Sequence, residues 1–117
     1  MDAENEPVFA LPASGAVVIR ATGDLDFGSA PTFRDQIDTA RRTPQATVVI
    51  IDLSEVELFD SSGLGELVHA RKECDASGIR LLLAAPQDNV RRRLAITGLS
   101  SLFDLFPSVA DALHDTR

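Results

Sequence analysis

Seven consecutive residues, Asp60-Ser61-Ser62-Gly63-Leu64-Gly65-Glu66, bring a carboxylate, two hydroxyls and two glycines together directly after a run of apolar residues. Such a cluster reads as a helix N-terminus. Asp60 is a good N-cap, because its carboxylate accepts from backbone N–H groups that the first turn leaves unpaired and sits at the positive end of the helix dipole. Gly63 and Gly65 each weaken a helix by about 1 kcal/mol relative to Ala. A glycine in such a place lets another backbone or another molecule come close, so the helix end reads as a smooth docking surface flanked by hydroxyls. A serine in this turn is also a sensible phosphate acceptor, since a dianion is favoured by the dipole and by free N–H groups. Phosphate on Ser61 would add close to two negative charges beside Asp60 and repel an acidic or apolar partner surface, switching binding off. Ser62 competes as acceptor or hydrogen-bonds locally.

The elements that must position this cluster follow from hydrophobic patterning. Residues 17–22 are rich in β-branched types, and Pro12-Ala13-Ser14-Gly15 before them is a turn that lets Val8–Leu11 pair back as an antiparallel edge strand. Residues 47–53 and 79–85 are nearly continuous apolar runs, as expected of central parallel strands covered on both faces. A loop over 54–59 then leads into the Asp60 cluster.

Ala30, Phe33, Ile37 and Ala40 share one face of a helix that Ser29 N-caps and that ends before Pro44. Leu67, Ala70 and Cys74 do the same after Asp60, with Gly78 as the left-handed C-terminal residue. A third helix starts near Pro86, turns Val90 and Leu94 inward and stops at Gly98. Residues 101–106 read as a last strand, and Pro107 opens a final helix with Val109, Ala112 and Leu113 inward. Strands alternating with helices imply parallel crossovers and an α/β domain.

Composition sets the outer bounds. The chain has 117 residues, 44% hydrophobic and 25% charged, which suits one folded domain. Its net charge of −7, with no Trp and no Tyr, argues against nucleic acid as a partner. No apolar run nears the roughly 20 residues that span a bilayer, and the acidic start lacks the features of an export signal, so no membrane partner and a cytoplasmic location are expected. One cysteine and two histidines, His69 and His114, make neither an internal disulfide nor a metal-ligand spacing, so no metal and no cofactor are expected.

Other motifs carry less. Asp26-Phe27-Gly28 has the form of the magnesium-binding tripeptide of protein kinases, but the chain lacks the accompanying lysine and glycine-loop motifs. Gly63-Leu64-Gly65 is an incomplete dinucleotide loop, with Val68 in the third glycine's place. Arg91-Arg92-Arg93 reads as a solvated helix face.

The stretch Asp60-Ser61-Ser62-Gly63-Leu64-Gly65, preceded by Val49-Ile50-Ile51-Asp52-Leu53-Ser54 and Phe59, resembles the signature of the STAS domain family, in particular its anti-sigma factor antagonists. Gly23-Asp24-Leu25-Asp26 matches that family's Gly-Glu-Leu-Asp motif, with Asp24 where Glu is usual and Phe27-Gly28 where polar residues often follow. The resemblance implies the STAS fold: a mostly parallel sheet of four to five strands, an antiparallel N-terminal edge strand and about four helices, in one domain over 1–117 with a core at about 8–113. It implies a non-enzymatic switch in which Ser61 is phosphorylated by an anti-sigma factor that is also a serine kinase. The unphosphorylated form binds that anti-sigma factor and releases the sigma factor, and a PP2C-type phosphatase restores the binding form. Asp26, Asp60, Ser61, Ser62, Gly63 and Gly65 then form the partner surface. The alternative is a scaffold subunit of a stress-signalling or lipid-transport complex that uses the same surface unmodified.

Overall fold

Every residue from Val48 to Leu53 is buried, as a strand covered on both faces must be. The computed structural model describes residues 8–11 and 14–116. Within them, β1 (Val8–Leu11), β2 (Ala16–Leu25), β3 (Val48–Phe59), β4 (Arg80–Ala84) and β5 (Asp104–Phe106) form one sheet in sequential order. β1 pairs antiparallel with β2, and all other pairs are parallel. Four α-helices connect or follow these strands: α1 (Ala30–Arg41), α2 (Ser61–Ala76), α3 (Asp88–Ile96) and α4 (Val109–Asp115). The α/β class, the antiparallel edge and the four helices agree with the sequence reading.

Side-chain alternation along the strands divides the core in two. Val17, Ile19, Val49, Ile51, Leu81 and Leu83 point to one face, where they meet Phe33 and Ile37 of α1, Leu67, Ala70 and Cys74 of α2, and Val90 and Leu94 of α3. Val18, Ile50 and Leu82 point to the other, against Ala112 of α4. Crossovers that advance strand by strand in one direction keep α1, α2 and α3 on one side, because parallel connections share one hand. α4 alone returns to the opposite side.

Several local expectations need correction. Residues 54–59 are not a loop: β3 continues through them, paired with β2 as far as Leu25 opposite Phe59. Between Arg20 opposite Asp52 and Thr22 opposite Glu55, and again between Gly23 opposite Val56 and Leu25 opposite Phe59, β3 uses three residues where β2 uses two. Each extra residue is a β-bulge, which turns the two-residue alternation into a three-residue spacing of buried Leu53, Val56 and Phe59. Asp52, 8% exposed as a residue, accepts the Ser54 N–H at 3.0 Å with its carboxylate and so satisfies a donor at the first bulge. Beyond Asp52 the strand has no β4 partner; the side-chain amides of Gln87 and Asn89 donate to the Ser54 and Glu57 carbonyls there.

Farther along, residues 99–102 form a 3-10 turn, so β5 is limited to its last three residues. The final helix starts after Ser108 rather than Pro107, and the Ser108 hydroxyl accepts the Asp111 N–H at 3.0 Å. Gly78 takes the expected left-handed conformation, with φ of 71°. Pro12 and Ala13 of the expected hairpin turn lie outside the described residues.

Candidate partner-binding site

The strand register brings the two acidic motifs together. Because Leu25 lies opposite Phe59, Asp26 and Asp60 leave the carboxyl ends of neighbouring parallel strands side by side. Ligands of open α/β sheets gather at this end. Asp60 caps α2 as expected: its Oδ1 accepts the Gly63 N–H at 3.0 Å, and its carbonyl accepts the Leu64 N–H at 3.0 Å. Ser61 is the first residue of α2 and is exposed, whereas Ser62 is half-buried. With the Gly63 donor taken, the first-turn donors near the Ser61 hydroxyl left without a hydrogen bond among the described residues are the N–H groups of Ser61 and Ser62.

The two glycines part company. Gly63, expected on the docking surface, is buried, and a Cβ on it would stand 2.2 Å from the Leu25 carbonyl oxygen. The backbone that comes close is therefore the protein's own, tying the end of β2 to the start of α2. Gly65 is exposed, with nothing within 4 Å of where its Cβ would lie. It remains on the candidate surface with Asp26, Asp60, Ser61 and Ser62.

Ser29 does something other than cap α1 with its side chain. Its hydroxyl accepts the Asp26 N–H at 3.0 Å and donates to the Asp24 carbonyl at 2.9 Å, while its own N–H donates to Asp26 Oδ1 at 3.0 Å. The Asp-x-x-Ser spacing was the sequence signal for this reciprocal pair, a close relative of a capping box. At the tip of the loop so fixed, Phe27 is 81% exposed.

Between α1 and α2 runs an open groove of about 690 Å³, walled by Phe27, Ala30 and Pro31 on one side and by Ser62, Gly65 and His69 on the other. Arg34 also lines it, and its Nε donates to both oxygens of the nearly buried Glu66 carboxylate at 2.8 and 3.0 Å. That bond and the carboxylate charge raise the pKa of the Arg34 guanidinium. The pair joins residues 32 positions apart, and no local sequence pattern announces it.

The remaining candidates hold structural positions. His69 sits 3.8 Å from Glu73 on its own helix, and Arg91 pairs with Asp88 at 3.6 Å on the exposed side of α3. Cys74 is buried in the core under α2, where desolvation pushes its thiol up to about 11. Among the described residues no group of three His, Cys, Asp or Glu side chains could hold a metal ion, and no helix is long and apolar enough to cross a membrane.

A five-stranded sheet in this order, with an Asp-capped helix and an exposed serine beside the carboxyl end of β2, is the architecture of a STAS domain. Residues 11–112 match that family, and the chain belongs to it. A STAS-domain containing protein of Pseudomonas aeruginosa is 33% identical over 100 residues, covering 84% of this chain and 97% of that protein. The anti-sigma-F factor antagonist RsfB of Mycobacterium tuberculosis is 30% identical over 105 residues, covering 89% and 84%. The crystal structure of an anti-sigma factor antagonist from Mycobacterium paratuberculosis superposes with a TM-score of 0.80 at 29% identity, over 94% of this chain and 91% of that one. The Bacillus cell fate determinant SpoIIAA, solved in its phosphorylated form, gives 0.69 at 26% identity, over 92% and 96%.

Proposed function

We propose that this protein is a cytoplasmic anti-sigma factor antagonist switched at Ser61. Unphosphorylated, it binds an anti-sigma factor that is also a serine kinase and frees the sigma factor; that kinase phosphorylates Ser61, and a PP2C-type phosphatase reverses the step. The observation that carries this reading is the exposed Ser61 hydroxyl at the first position of α2, between the Asp60 cap and the strand ends that bring Asp26 alongside. The relatives named as anti-sigma factor antagonists, and the phosphorylated form in which one similar protein was solved, support it.

The energetics favour an off-switch. A new phosphate that meets a cation at an exposed rim gains only about 0–1 kcal/mol. Pressed unpaired against a partner it loses water, and an uncompensated buried charge costs about 3–5 kcal/mol. The loss outweighs the gain, and binding ends.

Incubation with the cognate kinase and ATP, followed by mass-spectrometric mapping, tests the acceptor. Wild type should take one phosphate at Ser61, and Ser61→Ala should take none. Stoichiometric phosphorylation of Ser61→Ala removes the assignment. In binding assays Ser61→Ala should retain the anti-sigma factor and Ser61→Asp should lose it; equal binding by both would favour the constitutive scaffold instead.

A further inference from the structure

Phe27 is the feature of this surface that capping and phosphorylation leave unexplained. It is 81% exposed, in a chain with only six aromatic residues, all phenylalanine. Its loop is held by the reciprocal Asp26 and Ser29 hydrogen bonds and by the Ser29 bond to the Asp24 carbonyl. The backbone beneath the ring is therefore fixed before any partner arrives. An exposed aromatic on such a loop contributes strongly to association, because the loop has little freedom left to lose and only the ring must be ordered.

We propose that Phe27 is the anchor by which the binding partner is selected. The partner seats an apolar socket on the Phe27 ring, places an apolar side chain in the groove between α1 and α2, and rims both with lysine or arginine. The inference rests on the proposed function and names the chemistry of its partner.

Charge decides the rim. Asp24, Asp26 and Asp60 lie on or beside the same loop and helix end, in a protein of net charge −7. Facing another such corner they repel, which disfavours a second copy of this chain; facing cations they guide approach and fix orientation. The groove itself is suited to apolar contact. Ala30, Pro31, Ser62 and Gly65 line it without charge, and the charged lining residues Arg34 and Glu66 already pair with each other. Ser61, exposed at the start of α2, is covered by an apolar part of the partner and not by its cations, so a phosphate there is left unpaired.

Phe27→Trp gives the full chain a single tryptophan where it otherwise has none. Each purified anti-sigma factor kinase from the source genome is titrated with wild type, Ser61→Asp, Phe27→Trp and Phe27→Ala. A kinase that binds wild type but not Ser61→Asp should bind Phe27→Trp within about threefold, with a blue-shifted emission protected from acrylamide, and Phe27→Ala about 30-fold more weakly. Added salt should weaken the complex, and the melting temperature of free Phe27→Ala should match wild type because the ring is exposed. Equal affinity of Phe27→Ala, or a tryptophan that stays open to quencher in the complex, overturns the anchor while the Ser61 reading stands. A complex that tightens with salt overturns the cationic rim, and a homodimer dissolved by Phe27→Ala overturns the choice of partner. If no kinase binds wild type, both readings fall.

Discussion

A methyl group at position 63 would meet the Leu25 carbonyl at 2.2 Å, and neither backbone can withdraw without unpairing β2 or uncapping α2. Gly63→Ala should therefore lower stability by about 1–3 kcal/mol, the usual cost of overpacking, seen as an earlier urea midpoint. Two residues on, the same change meets open space. Gly65→Ala should raise stability by about 1 kcal/mol through helix propensity alone, while crowding the groove wall that a partner must approach. The pair separates two reasons for glycine that look alike in a sequence, since denaturation reads the first and binding reads the second.

For the elements, β3 is the informative case. Asp52 looks from its place in an apolar run like an interruption, yet its carboxylate accepts the Ser54 N–H where the first bulge breaks the ladder. Asp52→Ala should leave that donor unpaired and cost about 1–3 kcal/mol, measured by chemical denaturation. The same bulges explain where the sequence could be read and where it could not. Runs such as 48–53 and the faces Phe33-Ile37-Ala40 and Leu67-Ala70-Cys74 follow simple periods and predict their elements directly. Residues 54–59 have a period of three that belongs to neither a strand nor a helix, so a paired segment reads as a loop. At the candidate site, the Asp60 cap and the place of Ser61 in the first turn were legible because capping is local. The burial of Gly63 and the Arg34–Glu66 pair depend on contacts between distant segments, which no window of sequence contains.

On the scale of the whole molecule, one buried thiol links folding to alkaline pH. Cys74 in the core holds its proton up to about 11, against an ordinary value of 9.0, so the folded state binds that proton more tightly than the unfolded chain does. A raised pKa stabilises fully below the unfolded value and is lost as pH climbs through the folded one. Melting temperature should therefore decline as pH rises from 9 toward 11. Cys74→Ala should start lower, for want of the sulfur's packing, but show a shallower decline.

The amides of Gln87 and Asn89 have a consequence for the behaviour of many copies at once. Where β4 stops short, β3 would otherwise offer a bare row of acceptors to any extended chain that drifted past. With the Ser54 and Glu57 carbonyls engaged, a foreign strand has less to grip, and crowding inside a cell finds fewer ways to turn this protein into an aggregate.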